Sequence, residues 1–310
     1  MRRIMLTIAY DGTDYVGWQM QPNGIAVEQV INKALSELTG EDIIIAGASR
    51  TDSGVHAGGN VAVFDTKTRI PAEKICFALN QRLPKDIVCL SSREVDPDFH
   101  PRHADCTKTY EYSIYNAVHP DPIKRRYSYF VYVPLDIDAM RKAAEYLKGE
   151  HDFASFCSAH AQVKTTVRTV YSLDIICGDM QDDSCIINEA IYKTSDYKNT
   201  DLKIKTDISR RTYQAQDIKI RISGNGFLYN MVRIIVGTLV KVGYHFYPPE
   251  YVKTILEACD RTKAGPKAPA EGLKLIGIKY DPKNYELLPE TAPDHTEPLI
   301  DTTDDMDEID

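Results

Sequence analysis

Apolar and polar positions along the chain change period several times, and each change marks an element. Residues 3–9 are apolar-rich and predict a strand. Residues 10–24 collect Asp, Gly, Asn and Pro and read as a loop. Val27, Val30, Ile31, Ala34, Leu35 and Leu38 follow helical spacing, with Gly40 where a C-terminal cap belongs. Residues 42–48 and 60–65 read as strands. Pro71 opens a helix running to about Leu83, and residues 87–95 form a further strand. The order is β-α-β-β-α-β, the split arrangement of ferredoxin-like folds.

A similar order follows. In residues 108–116, Tyr110, Tyr112 and Ile114 alternate with Thr109, Glu111 and Ser113, as in a strand with two faces. Ile137, Met140, Ala144 and Leu147 share one face of a helix over 136–148, with Gly149 at its end. Strands are predicted at 167–177, 216–222 and 273–280. An apolar helix is predicted over 226–241 and a short polar one from Pro248 to Ala258. The pattern predicts an α+β fold of two ferredoxin-like, RRM-like halves, βαββαβ twice, with antiparallel sheets. Helices cover one face of each sheet and leave the other free for a large ligand. The halves divide at 1–104 and 105–281. A polar stretch at 178–215 reads as an insertion within the second half, and residues 282–310 as a disordered acidic tail.

Composition narrows the class. The 310 residues are 43% apolar and 26% charged, enough for a core, which excludes a fibre or a chain disordered throughout. No stretch approaches the ~20 apolar residues of a membrane-spanning helix. The segment Met1–Thr7 turns polar too early for a signal peptide. Seven cysteines without regular spacing read as reduced thiols in a cytoplasmic protein. The formal charge of −8 misleads if taken whole. Residues 281–310 hold eleven acids and one base, a net of −10, so the remaining 280 residues carry +2. Binding follows local basic surface, and a nucleic-acid partner stays open for that core.

Three segments can carry chemistry. Ala48-Ser49-Arg50-Thr51-Asp52-Ser53-Gly54-Val55-His56-Ala57-Gly58-Gly59 lies between two predicted strands. Its glycines allow close approach of main chain to a ligand. Asp52 suits a nucleophile or base, and Arg50 a phosphate or base-edge contact. An ordinary turn with an Asx-type bond and a surface ion pair accounts for the same residues. The second segment is the helix from Gly226, apolar nearly all round, with Arg233 its only charge before Lys241. Stranding a buried guanidinium costs roughly 3–5 kcal/mol, so Arg233 needs an acid such as Asp52, or a route to water. Pairing with Asp52 would lower the carboxyl pKa and keep it ionised.

The third segment, Phe99-His100-Pro101-Arg102-His103-Ala104-Asp105-Cys106-Thr107-Lys108-Thr109-Tyr110, interleaves basic and aromatic groups as nucleic-acid surfaces do. Lys124-Arg125-Arg126 adds a second basic cluster, which a solvated loop also explains. His100, His103 and Cys106 do not predict a metal site, because Pro101 interrupts any helix that would align them and no matching ligand pair follows. Gly224-x-Gly226-x-x-Tyr229 lacks the third glycine of a dinucleotide fingerprint, and there is no P-loop. Trp18, in a Gly-rich loop, reads as a packing residue.

Together these segments resemble the TruA family of tRNA pseudouridine synthases. The matching pieces are Tyr10-Asp11-Gly12-Thr13 with Gly17-Trp18-Gln19, and Arg50-Thr51-Asp52-Ser53-Gly54-Val55-His56-Ala57. Leu79-Asn80 with Leu83-Pro84, and Pro101-Arg102 with Lys108-Thr109-Tyr110-Glu111-Tyr112, follow. Asp152-Phe153-Ala154-Ser155-Phe156, Gly224-Asn225-Gly226-Phe227-Leu228-Tyr229-Asn230-Met231-Val232-Arg233, and Ala268-Pro269 with Gly272-Leu273 complete the set in family order. The resemblance implies a cofactor-free, metal-free isomerase that converts uridines at positions 38, 39 and 40 of the tRNA anticodon stem-loop. It implies a homodimer with an RNA-binding cleft in each subunit.

Carried onto this chain, Asp52 is the catalytic aspartate and Arg50 helps displace the target base. Tyr110 packs on that base and assists proton transfer, and Arg233 pairs with the aspartate. Arg102 and Lys108 join Arg50 and Tyr110 as substrate-binding residues. The chemistry suits these types: uracil leaves C1′, turns and rejoins through C5, from a nucleotide flipped out of its stem. The carboxylate either attacks C1′ or removes a proton from C2′ to give a glycal. The chain departs from the family at Ser53, where Ala is commoner, in the length of 178–215 and in the acidic tail. Two rivals are a non-catalytic RNA-binding module of two RRM-like halves and a glycoside hydrolase, which needs two facing carboxylates.

Overall fold

The structure is a computed structural model and describes residues 1–158, 164–179 and 215–285. The elements in chain order are β1 (Arg2–Tyr10), α1 (Val27–Thr39), β2 (Ala46–Gly47), β3 (His56–Thr66), α2 (Ala72–Asn80) and β4 (Ile87–Val95). Then come β5 (Cys106–Asn116), β6 (Tyr129–Val131), α3 (Ile137–Glu145), β7 (Gly149–Asp152), β8 (Val167–Asp179) and β9 (Gln216–Gly224). The last are α4 (Met231–Gly243), α5 (Tyr251–Ala258) and β10 (Leu273–Tyr280).

The strands form one ten-stranded sheet, not two separate ones. The order is β4-β1-β3-β10-β5-β9-β8-β7, with β2 on β3 and β6 on β5. The join is a short parallel contact, Lys274 opposite His56 and Leu275 opposite Ala57. Around it the ladders are antiparallel, apart from the parallel pair β5 and β6. The helices bury one face of this sheet. Val27, Ile31, Ala34 and Leu35 make the inner stripe of α1, and Gly40 closes that helix at φ 71°. α3 starts on Asp136, whose side chain accepts from the Ala139 N–H at 2.9 Å. In α4 every residue but Lys241 is buried, because the helix lies between α3 and the 264–268 segment. A smaller core of Met5, Val61, Val63, Val95, Phe99 and Tyr280 fills the opposite sheet face under loop 96–105.

Several boundaries differ from the pattern. Residues 42–48 alternate in burial, yet only Ala46–Gly47 pairs as strand. The Ile43 and Ile45 N–H groups donate instead to Ser36 Oγ and Asn32 Oδ1 of α1, so the segment runs along the helix. The strand predicted at 60–65 begins at His56, so the Asp52 loop is shorter than it reads. α4 begins at Met231, after Asn230 adopts a left-handed φ of 61°. β6 and β7, too short to show a period, were not predicted. Pro282–Asn284 forms a turn and Tyr285 packs against Phe99, so the folded body reaches past the predicted start of the tail. Residues 180–214 of the insertion and 286–310 of the tail lie outside the described residues.

Candidate active site

A cleft of about 920 Å³ opens between the Asp52 loop and the segment leading into α4. Among the described residues its charged lining is Arg50, Arg102, Lys108, Arg168 and Arg233, with Asp52 the single carboxylate. The surface is therefore locally basic on a chain whose total charge is negative.

The Asp52 loop is held by buried polar partners. The Ala48 N–H donates to Val61 O at 2.7 Å, and the Asn60 amide brackets Ser49, accepting from its N–H at 3.3 Å and donating to its carbonyl at 3.0 Å. Thr51 Oγ1 lies 2.7 Å from Tyr10 Oη, and Thr51 O accepts from the Trp18 N–H at 3.0 Å. Trp18 is buried, as a packing residue. Asp52 O accepts from the Val55 N–H at 3.1 Å, closing a tight turn that needs Gly54 at φ 77°. Ser53, the departure from the family pattern, donates its hydroxyl to Tyr15 O at 3.2 Å.

Arg233 approaches from the other side. Its Nη1 lies 3.3 Å from Asp52 Oδ2 and donates to Asn230 Oδ1 at 3.1 Å, while Nε donates to Ala268 O at 2.8 Å. The guanidinium is nearly enclosed, at 10% exposure, and the Asp52 side chain retains 20%. The 264–268 segment lies so close to α4 that a Cβ on Gly237 would collide with the Pro266 carbonyl. This close packing places the Ala268 carbonyl on Arg233.

Pairing pulls the Asp52 pKa down as the sequence reading expects, but the net shift is upward. Burial pushes the carboxyl above its ordinary value, and the attraction of Arg233, with a lesser pull from Lys267, only partly offsets it. Tyr110 is buried, its hydroxyl 2.7 Å from Ser49 Oγ and its ring edge-on to Phe227 at 5.3 Å. Burial raises its pKa to about 12, so the phenol keeps its proton at neutral pH. Lys108 donates to Ala48 O at 2.9 Å, and burial lowers its pKa, helped by Arg168 and Arg102. Arg50 and Arg102 line the cleft exposed to solvent.

The sequence reading missed Arg168, a lining residue on β8 whose Nη1 donates to the Thr165 and Val167 carbonyls. It also missed the supporting amides of Asn60 and Asn230. A buried Asn within an apolar strand was the available signal for Asn60. Lys124-Arg125-Arg126 does not line the cleft: Lys124 pairs with Asp217 at 2.7 Å and Arg126 with Asp14 at 3.6 Å. His56, inside the Asp52 motif, accepts from the Gly12 N–H at Nδ1 and bonds the Arg126 carbonyl through Nε2 instead. His100 and His103 stack on one another at 4.1 Å. No cluster suited to a metal occurs among the described residues. Cys76, Cys89, Cys106, Cys157 and Cys259 are free thiols. No helix among the described residues is long and apolar enough to cross a membrane.

The chain is similar to known proteins over most of its length. The model of a family described as tRNA pseudouridine synthase matches residues 6–103 and 143–281. Proteins named tRNA pseudouridine synthase A from Ruminiclostridium cellulolyticum and Brevibacillus brevis are each 44% identical over 280 residues. A relative from Clostridium perfringens, tRNA pseudouridine synthase A 2, is 42% identical over the same length. Each alignment covers 90% of this chain and all of the relative. A basic cleft with one carboxylate set against a buried arginine belongs here to a member of the tRNA pseudouridine synthase family, an isomerase of uridine in tRNA.

Proposed function

We propose that this chain is a tRNA pseudouridine(38–40) synthase acting on the anticodon stem-loop, with Asp52 its catalytic carboxylate. The observation that carries the reading is the Asp52–Arg233 pair at 3.3 Å inside the basic cleft. Arg50, Arg102 and Lys108 contact phosphates and hold the stem, and Arg50 enters the gap left by the displaced base. Tyr110 packs on the flipped uracil and, entering the reaction as a neutral phenol, donates a hydrogen bond to it and assists proton transfer. Arg233 holds Asp52 ionised against the cost of its burial.

Ionised Asp52 starts either route. In one, a carboxylate oxygen bonds to C1′ as the C1′–N1 bond breaks and its electron pair leaves with the uracil. In the other, Asp52 takes the C2′ proton, C1′–N1 breaks, and a glycal forms. The uracil then turns and C5 bonds to C1′. In the first route the ester opens and frees the carboxylate; in the second the proton returns to C2′. Water takes the C5 proton and N1 is protonated in return, so protons and electrons balance with no redox partner.

We read the architecture as two ferredoxin-like halves, 1–104 and 105–281. The support is strand order: β4-β1-β3-β2 on one side of the join and β10-β5-β9-β8 on the other follow the same plan. A cytoplasmic homodimer is part of the same reading, and sedimentation checks the dimer. The deciding experiment is pseudouridine mapping of tRNA treated with purified protein. Modification confined to positions 38, 39 and 40, and absent with Asp52→Ala, is the expected result. Modification elsewhere in the tRNA, or an active Asp52→Ala, refutes the assignment.

A further inference from the structure

The family match stops at residue 281, and the described fold ends at Tyr285. Beyond it this chain continues for 25 residues that hold ten acids, among them Asp304, Asp305, Asp307 and Glu308, and neither Lys nor Arg. Where that segment leaves the fold is informative. The Asp96 N–H donates to Tyr285 O at 3.2 Å, the Tyr285 ring meets Phe99 at 6.0 Å, and Tyr280 Oη donates to Pro101 O at 2.5 Å. The exit therefore lies on loop 96–105, the loop that delivers Arg102 to the cleft. Twenty-five residues reach at most roughly 80–90 Å, far more than a cleft whose rim is in the same loop requires.

We propose that residues 286–310 dock in the basic cleft of their own chain as a tethered polyanion, competing with RNA for Arg50, Arg102, Lys108 and Arg168. Charge complementarity supports this occupant: the segment carries ten carboxylates, and the cleft, among the described residues, is lined by five cations and one acid. A tether of this length gives an effective concentration of the order of millimolar, so a weak intrinsic affinity suffices to occupy the site part of the time. Cognate tRNA, with its many phosphates and an inserted base, displaces the tail, whereas RNA held by phosphate contacts alone competes poorly. The tail thus raises selectivity more than it slows the reaction on tRNA. The inference rests on the cleft being the RNA site.

The test compares three proteins: the full chain, the chain ending at Tyr285, and the full chain with its ten tail acids changed to Asn or Gln. Binding of tRNA and of an unrelated RNA hairpin is measured across a salt series. Truncation and neutralisation should each tighten hairpin binding by roughly 3- to 10-fold at low salt, and the gap should close as salt rises. A synthetic peptide of residues 286–310 should compete with the hairpin for the truncated chain, and its neutralised form should not. Equal hairpin affinity for all three proteins overturns the proposal. Tighter binding on truncation with no competition by free peptide also overturns it, because that is long-range repulsion without docking. Arg102→Gln and Lys108→Gln in the truncated chain separate the two readings. If they leave RNA binding unchanged, the cleft assignment fails; if they weaken it while the peptide stays inert, only the tail proposal fails.

Discussion

Replacing Arg233 with Met removes a charge from α4 and keeps an unbranched side chain on an apolar helix. Two unit charges 3.3 Å apart attract by about 1 kcal/mol in water-like surroundings and about 5 kcal/mol at an effective dielectric of about 20. Asp52 keeps 20% of its side chain exposed, and screening puts the pair between these limits, at about 2–3 kcal/mol. Where the rate follows the ionised fraction of Asp52, that is roughly a 30- to 150-fold loss at pH values below both acid limbs, shrinking as pH rises through them. The assay is single-turnover pseudouridine formation as a function of pH. Burial already holds the Asp52 carboxyl above its ordinary pKa, so the acid limb of the unmodified enzyme lies at higher pH than a free carboxyl would give. Arg233→Met should move that limb further up and recover rate as pH rises, while Arg233→Lys should move it less. A rate lowered equally at every pH, with the limb in place, would refute the electrostatic role.

Stability gives an independent check on the same pair. Asp52 has a folded pKa above its unfolded one, so its contribution is fully present below the unfolded value and is lost as pH rises through the folded value. Removing Arg233 deepens that loss. The difference in denaturation midpoint between the two proteins should be widest at neutral pH and shrink toward acid. A gap that does not change with pH would point to packing alone.

Four further outcomes are expected. Asp52→Ala should keep tRNA affinity within a few-fold in filter binding and form no pseudouridine. Tyr110→Phe strands the buried Ser49 hydroxyl, at about 1 kcal/mol in a denaturant titration, and should slow turnover with binding retained. Gly237→Ala forces α4 and the Pro266 backbone apart, so activity should fall with a raised acid limb, because Arg233 loses its hold on Ala268. Arg102→Gln and Lys108→Gln should each weaken binding to all RNA and reduce the log–log salt slope by up to about 0.9, measured by titration at several ionic strengths.

Periodicity carried most of the fold because most elements bury one face. β4 and β10 fall where alternation places them, and the α1 stripe has helical spacing ending on a capping glycine. The failures share a cause. Over 42–48 the alternation of burial was real, but side chains of α1 took the backbone N–H groups, and sequence period reports burial and not hydrogen-bond partners. At 226–229 the run Gly-Phe-Leu-Tyr resembles the helix that follows, but a left-handed Asn230 keeps those residues out of it. The joining of all strands into one sheet depends on two residue pairs between β3 and β10, far apart in sequence and invisible to any local pattern.

The site was legible in residue type and not in energetic balance. An arginine alone on an apolar helix demands a partner or a route to water, and of the acids open to it Asp52 is the one that lies 3.3 Å away. The direction of the Asp52 shift could not follow from that argument, because it is a difference between two large terms. Enclosure that makes the guanidinium need an acid also strips water from the acid, and here the desolvation exceeds the attraction. Asn230 and the Ala268 carbonyl help explain how the pair survives: they accept from Nη1 and Nε and fix the guanidinium, so that Nη1 also reaches Oδ2. A carboxylate held ionised but poorly solvated is more basic and more nucleophilic than one in water. For the proposed role of Asp52, a raised pKa with the ionised form kept populated by Arg233 suits either route to C1′–N1 cleavage.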